Sequence, residues 1–106
     1  MIRSDVYWHK FKEPDKTRPF LIITRDEAIS ELNAVTVIPT TTTIRDLLSQ
    51  VLLTEEDGVL ETCVLNVDLI QTVPKNKLRG YITHLSEKRM EEVFEAIKFA
   101  FGFDNK

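Results

Sequence analysis

Residues 16–24 read KTRPFLIIT, a stretch that changes from cationic to wholly apolar within a few positions. The four apolar residues 20–23, two of them β-branched, predict a buried strand. Pro19 has a fixed φ angle and biases the preceding Arg18 toward extended backbone. The sequence therefore places one guanidinium at the start of a core strand, either as a solvated strand end or as a positive charge held beside a site.

The size and composition of the chain predict one soluble domain over residues 1–106. A chain of 106 residues has room for a single hydrophobic core. Its hydrophobic content of 42% and charged content of 29% are typical of globular proteins, and we expect no membrane association. The first residues, MIRSDVYWHK, lack the apolar run of a secretion signal, so a cytoplasmic location is expected.

The residues that usually carry catalysis are sparse. Cys63 is the single cysteine, so an internal disulfide is excluded, and it lacks the neighbours of a zinc site. His9 and His84 show no triad pattern and are interpreted as structural or surface histidines. There is no glycine-rich phosphate loop either. We expect no metal and no cofactor.

The charge of the chain argues against a general nucleic-acid coat. The net charge is −3, whereas such proteins present a broad basic surface. Basic residues nevertheless gather around the opening stretch: Lys10, Lys12, Lys16, Arg18 and Arg25. This grouping permits a local basic groove, although solvated faces produce similar segregation.

Short apolar and β-branched runs recur along the chain and predict a mainly β fold with a C-terminal helix. Six strands are expected: Asp5–Phe11, Phe20–Thr24, Ala34–Pro39, Gln50–Leu53, Cys63–Val67 and Gly80–His84. Their spacing is typical of a small barrel or a strongly bent antiparallel sheet. The segment RDEAISELN, residues 25–33, predicts a short helix.

The longest helix is predicted over residues 86–102, SEKRMEEVFEAIKFAFG. Ser86 is a suitable N-cap, and Gly102 suits the left-handed position after the helix. Helical spacing puts one apolar stripe on the core: Met90, Val93, Phe94, Ile97 and Phe101. Phe99 points elsewhere and Phe103 follows the glycine, so we hypothesise that these two aromatics contribute to a contact with another protein chain.

Two polar clusters interrupt the predicted strands. Pro39 is expected to break the ladder so that the hydroxyls of residues 40–43 turn out of the sheet. In CVLNVDLIQTVPK, residues 63–75, alternation places Asn66 and Asp68 on one face of a strand. That face is either the solvated side of the sheet or a polar pocket.

The order of these motifs resembles the MazF/PemK family of toxin endoribonucleases over almost the whole chain. The resemblance rests on RSDVYW, KTRPFLII, AVTVIPTTTT, VDLIQTVPKNKL and ITHLSEKRMEEVFEAI. It implies a compact bent antiparallel sheet or SH3-like barrel with a C-terminal helix, working as a homodimer. It also implies metal-independent cleavage of single-stranded RNA and restraint by a cognate antitoxin protein.

The resemblance assigns roles to individual residues. Arg18 and Thr41 match the family's catalytic arginine and threonine, with Thr40 as the neighbouring register. Asp68 matches an acid used by some members, and Asn66 replaces the basic residue that certain relatives carry two positions earlier. Lys16 and Gln71 are expected to contact phosphates or bases. The loop KFKEPDK lacks the family's usual glycines, so the resemblance does not carry a base preference to this chain.

Cleavage of RNA without a metal uses the 2′-hydroxyl of the substrate as nucleophile. The products are then a 2′,3′-cyclic phosphate and a 5′-hydroxyl. Arg18 would neutralise the phosphate, and the general base is left open between Arg18 and Asp68. Two alternatives remain: a toxin of the same fold that binds a protein target, as gyrase poisons do, and a plain interaction module. The chain reads FGFDNK where such poisons carry an exposed Trp-Gly-Ile.

Overall fold

The computed structural model describes residues 1–9 and 17–103, which form an antiparallel sheet with two helices. The helices are α1, Asp26–Ile29, and α2, Glu87–Ala100. Short 3-10 turns lie at Glu55–Asp57, Val67–Leu69 and Lys75–Lys77. The strands are β1 (Asp5–His9), β2 (Arg18–Ile22), β3 (Ala34–Thr41), β4 (Gln50–Leu53), β5 (Cys63–Asn66), β6 (Gln71–Pro74) and β7 (Leu78–His84).

The sheet is open at its edges within the described part of the chain. Its strands follow the order β4-β5-β3-β2-β1-β7, and β6 adds a second pairing to β3. Strands β4 and β7 form the two ends of this path and do not pair with each other. The prediction of a mainly β fold with a C-terminal helix is confirmed, in the form of an unclosed sheet and not of a closed barrel.

Strand β3 passes through Pro39, which corrects the expectation that this proline ends the strand. Residues 34–37 pair with β6, whereas Thr40 and Thr41 pair with β5. Pro39 lies between the part of β3 that pairs with β6 and the part that pairs with β5. Because proline lacks the N–H that a ladder hydrogen bond needs, it is tolerated best at such a break. The strand therefore continues to Thr41, and the chain leaves the sheet only from residue 42 onward.

The segment after β5 is not one continuous strand. The chain turns through Val67–Leu69 and then forms β6, a strand that the sequence analysis missed. Asp68 therefore lies in a turn and Asn66 at a strand end, so the predicted alternation of these two side chains on one face is wrong. Strand β7 also begins earlier than predicted, at Leu78.

Other element bounds follow the sequence more closely. Strand β4 has the predicted bounds, and β1 covers Asp5–His9, while the predicted continuation to Phe11 lies outside the described residues. Helix α1 occupies only part of the predicted segment 25–33. The Ser86 cap of α2 is confirmed by its Oγ, which accepts a 3.1 Å hydrogen bond from the Arg89 N–H, and Gly102 has the expected positive φ of 75°.

The core consists of two clusters. One packs the sheet against α2 and includes Leu21, Ile38 and Leu65, and the other surrounds Phe20 and Ile22. Of the predicted helix stripe, Met90, Val93 and Ile97 contact the first cluster, together with Ala96 and Ala100. Phe94 and Phe101 do not belong to it, since they are 38% and 52% exposed. Ala96 and Ala100 occupy part of the face of α2 that packs on the core, in addition to the predicted residues.

Candidate active site

A cavity of about 480 Å³ opens where β2 begins and β3 ends. Its walls come from three parts of the fold: β1 and β7, the β2–β3 pair, and the loop that precedes β5. A volume of this size is in the range of small-molecule sites. The lining residues are Trp8, Thr17, Arg18, Pro19, Thr40, Thr41, Thr42, Val59, Leu60, Glu61, Cys63 and Ile82.

Arg18 and Thr41 occupy opposed positions on neighbouring strands. Phe20 of β2 pairs with Pro39 of β3. The same antiparallel register, continued two residues toward the start of β2, places Arg18 opposite Thr41. Both residues line the cavity, so the two residues predicted to act on the phosphate meet at one concave surface.

Thr40 has a different environment from its neighbour. Its side chain is buried, and its hydroxyl donates a 2.8 Å hydrogen bond to the Pro19 carbonyl oxygen. This bond joins β3 to β2 at the residue that follows Arg18. The Thr40 hydroxyl therefore donates its proton within the protein and not to a ligand.

The Thr41 hydroxyl acts as an acceptor toward its neighbour, so its own proton can be donated elsewhere. Its Oγ1 accepts a 3.2 Å hydrogen bond from the Thr43 N–H, an arrangement that orients the hydroxyl oxygen. A threonine hydroxyl has one proton to donate and two lone pairs to accept with. The half-buried Thr41 hydroxyl can therefore donate into the cavity while Thr43 holds it in place.

Cys63 is buried and lines the cavity. Burial is the main cause that raises the pKa of its thiol to about 11, with contributions from the negative charges of Glu61 and Asp57. The thiol is therefore protonated at neutral pH. Since the thiolate is the reactive form of cysteine, this residue is not a nucleophile here.

His9 flanks Arg18 on the other side, because the two residues pair between β1 and β2. Its ring stacks on Phe20 with a centroid distance of 4.5 Å and an interplanar angle of 6°. Desolvation, followed by the nearby charge of Lys77, lowers the pKa of His9 below its usual value. A neutral, stacked imidazole supports the structural role that the sequence favours for this histidine.

The wall formed by Val59, Leu60 and Glu61 is anchored at its start by Asp57. The Asp57 carboxylate receives 3.1 Å hydrogen bonds from both Nε and Nη2 of Arg89 on α2. One of its oxygens also accepts a 2.8 Å hydrogen bond from the Thr54 N–H. The loop is thus tied both to the helix and to its own first turn.

Gly58 brings this wall against β7. Its φ of 98° is in the left-handed region that favours glycine. A Cβ at this position would lie 2.3 Å from Oγ1 of Thr83, whose hydroxyl donates a 2.9 Å hydrogen bond to the Asp57 carbonyl. Only glycine fits this close approach without a shift of the backbone or of Thr83.

Three predicted site residues in the described part of the chain do not line this cavity. Asp68 is exposed and accepts a 2.6 Å hydrogen bond from the Ser49 hydroxyl, while Asn66 pairs with Gln50 at the end of β5. Gln71 lies on β6 and donates to the Leu69 carbonyl. Lys16 lies outside the described residues.

Glu61 and Ile82 are cavity residues that the sequence analysis did not single out. Glu61 belongs to a run of acidic residues, and such a run is usually a solvated surface. Its position two residues before the buried Cys63 could have suggested that it approaches the same space. Ile82 reaches the cavity because β7 pairs with β1, a contact between the two ends of the described chain.

The described residues hold neither a cluster of metal ligands nor a helix that could span a membrane. Residues 1–9 and 17–103 contain no group of three or more His, Cys, Asp or Glu side chains that could hold a metal ion. No helix in these ranges combines the length and the apolar character needed to cross a membrane.

Comparisons with known proteins converge on one family. A family model described as PemK-like, MazF-like toxin of type II toxin-antitoxin system matches residues 2–101. The probable endoribonuclease MazF2 of Mycobacterium tuberculosis is 38% identical over 90 residues, covering 84% of this chain and 88% of the relative. Endoribonuclease MazF3 of the same species is also 38% identical over 90 residues, covering 85% of this chain and 87% of the relative.

Solved structures share the fold. Toxin MazF-mt6 of M. tuberculosis superimposes with a TM-score of 0.84 at 34% identity, covering 92% of this chain and 96% of the other. An endoribonuclease from a mycobacterial species, solved in complex with its cognate antitoxin, gives a TM-score of 0.88, covering 100% of this chain and 99% of the other. Because this second structure is 24% identical to the chain, the similarity between the two establishes a shared fold and no shared role.

Proposed function

Because the chain belongs to the family of PemK-like, MazF-like toxins of type II toxin-antitoxin systems, we propose that it is an endoribonuclease that cleaves single-stranded RNA. The observation that carries this proposal is the meeting of Arg18 and Thr41 at one cavity. Two relatives that are 38% identical to this chain over 90 residues are named as endoribonucleases, which supports the same activity. Cleavage of cellular RNA would inhibit translation and growth.

The reaction uses the ribose as its own nucleophile. The 2′-oxygen forms a bond to the adjacent phosphorus and loses its proton, the bond from phosphorus to the 5′-oxygen breaks, and that oxygen gains a proton. The products are a 2′,3′-cyclic phosphate and a 5′-hydroxyl. DNA lacks the nucleophile and is not a substrate.

Arg18 and Thr41 both stabilise the phosphate in the transition state. Negative charge grows on the non-bridging oxygens in the transition state, and the forked donors of a guanidinium match this charge better than the ammonium of lysine. The Thr41 hydroxyl donates a further hydrogen bond to the same oxygens. We favour Thr41 over Thr40 because the Thr40 proton is engaged with Pro19.

Arg18 is also better placed than Asp68 to protonate the leaving 5′-oxygen, although its charged guanidinium cannot accept the 2′-proton. It lines the cavity, whereas Asp68 lies in a turn outside it and is bonded to Ser49. For Asp68, Asn66, Gln71 and Lys16 we propose contacts to the RNA strand beyond the reacting phosphate. Such contacts would continue across a homodimer, the assembly that the family resemblance implies.

The proposed partners are single-stranded RNA and a cognate antitoxin protein. Type II systems pair a toxin with an antitoxin, and the family description names such systems. We propose that the protein acts in the cytoplasm, where its RNA substrates are found.

The test is incubation of purified protein with a long unstructured RNA in excess EDTA, followed by mapping of cut positions and end chemistry. We expect cuts that leave 2′,3′-cyclic phosphates. Arg18→Ala should lower cleavage by roughly a hundred- to a thousandfold, the range seen when one transition-state donor is removed. Arg25→Ala, at an exposed arginine outside the cavity, is the matched control. Intact RNA with a folded parent protein would refute the proposal and favour a toxin that acts by binding.

A further inference from the structure

The cavity carries one positive and one negative side chain among the described residues that line it. Arg18 stands on the β2–β3 wall, and Glu61 stands on the loop that precedes β5. An RNA phosphate is attracted to Arg18 and repelled by Glu61. A nucleotide in this cavity is therefore oriented, with its phosphate toward β2 and its base toward the Glu61 wall.

The Glu61 carboxylate is available to a ligand. It makes no hydrogen bond or ion pair with the described residues, whereas Asp57, four residues earlier, binds Arg89. Its charge nevertheless reaches the interior, since Glu61 contributes to the raised pKa of Cys63, which lines the cavity. The carboxylate thus has acceptor capacity that the scaffold does not use.

The loop that carries Glu61 is held at its start. Asp57 binds Arg89 through both carboxylate oxygens, and Gly58 packs against Thr83 at a distance that excludes any side chain. A recognition group discriminates between ligands when its supporting residues prevent it from adapting to the wrong one. The wall of Val59, Leu60 and Glu61 meets this requirement at its start.

Apolar groups surround the place that a base would occupy. Trp8 and Ile82 line the cavity from β1 and β7, and Leu60 lies beside Glu61 with 76% of its surface exposed. Trp8 can lie over β7 because Gly80 has no Cβ, which would come within 3.1 Å of the indole. An indole face next to aliphatic side chains is a platform on which unpaired bases stack.

We propose that Glu61 determines base specificity by accepting hydrogen bonds from the Watson–Crick edge of a guanine beside the scissile phosphate. This inference rests on the proposed nuclease function and specifies its substrate. An ionised carboxylate only accepts hydrogen bonds, so it selects bases that present donors. Guanine presents two adjacent donors, N1–H and the N2 amino group, which match the two carboxylate oxygens. Uracil presents one N–H between two carbonyl oxygens, which the carboxylate repels.

The experiment compares the parent protein with Glu61→Gln on short single-stranded RNAs. Cut positions are mapped first, and the base on each side of the cut is then varied among the four nucleotides and inosine, which lacks the N2 amino group. We expect the parent to favour guanine over uracil at one of these positions by roughly five- to a hundredfold, the usual range for one well-matched base contact. Replacement of that guanine by inosine should slow the parent and leave Glu61→Gln nearly unaffected.

Glu56→Gln is the matched control, because Glu56 is exposed on the preceding turn and does not line the cavity. It should keep the parent's preference. The inference is overturned if Glu61→Gln keeps that preference, or if it loses cleavage of all substrates equally while remaining folded, since the carboxylate would then act in the chemistry. A parent protein that cuts no RNA refutes the nuclease function itself, an outcome distinct from altered base preference.

Discussion

The hydroxyl of Thr40 donates a 2.8 Å hydrogen bond to the carbonyl oxygen of Pro19, the residue that follows Arg18. Thr40→Val keeps the shape of the side chain and removes this bond. We expect a loss of about 1 kcal/mol in the free energy of unfolding, measured by urea denaturation, because a neutral hydrogen bond has about that net value.

The same substitution should affect cleavage through the position of Arg18. We expect kcat to fall more than KM rises, because a displaced guanidinium fits the transition state less well. Thr40→Ser restores the hydroxyl and should restore both stability and kcat. An unchanged kcat in Thr40→Val would show that this bond does not position the arginine.

Thr41→Val should reduce cleavage by roughly a hundred- to a thousandfold, because it removes one donor to the phosphate oxygens. Thr41→Ser keeps the donor and should retain most of the activity. Single-turnover rates on one mapped RNA site compare the two variants. If valine and serine have equal effects, the hydroxyl at this position is not a transition-state donor.

Cys63 should react slowly with thiol reagents in the folded protein. Its pKa is raised from 9.0 to about 11, so the thiolate fraction at pH 8 is about a hundredfold lower than for an unperturbed thiol. Labelling with a disulfide reagent should therefore be slow in buffer and fast in denaturant. Cys63→Ala should keep detectable RNA cleavage, and its complete loss with the fold intact would contradict our interpretation of the thiol as unreactive.

The Asp57–Arg89 pair should contribute to stability. The side chains are 12% and 24% exposed, so the pair is partly shielded from solvent, and the bond raises the pKa of Arg89. Arg89→Met should lower the free energy of unfolding by about 1 to 3 kcal/mol, as expected for hydrogen bonds between charged groups. Glu92→Gln tests the second, more exposed partner of Arg89 and should have a smaller effect. Equal losses in the two variants would contradict the importance of Asp57.

Phe99 lies in a groove between β4 and α2, beside the exposed side chains of Leu48 and Leu52. Phe103 instead stacks on Phe101 with a centroid distance of 5.8 Å. We expect Phe99→Asp to weaken self-association or antitoxin binding, because it places a charge in an apolar contact. Light scattering, with and without antitoxin, measures both. Leu69→Asp, at an exposed residue outside the groove, is the control, and unchanged association in Phe99→Asp would refute the hypothesis.

Local signals predicted much of the fold. The short apolar run at residues 50–53 predicted the bounds of β4, and Ser86 caps α2 through a hydrogen bond to the backbone three residues later. Both features depend on residues a few positions apart. The family resemblance supplied the pairing of Arg18 with Thr41, which the register of β2 and β3 now explains.

Features that depend on distant pairing were missed. Pro39 remains in β3 because its partner strands change there, and β6 forms because β3 offers it an edge. Nothing near either segment indicates these contacts. Glu61 reaches the cavity only because Asp57 and Gly58 direct its loop toward α2 and β7. A sequence pattern shows which face of a single helix or strand is buried. It does not show which distant elements come together at a site.

The pairing of β1 with β7 has a consequence for synthesis of the protein. Asp5 lies opposite His84, and Trp8 and Ile82 line the same cavity from these two strands. A ribosome must therefore release most of the chain before the two strands can meet. A polypeptide without β7 lacks one wall of the cavity, so the site is complete only after β7 has been synthesised and has paired with β1.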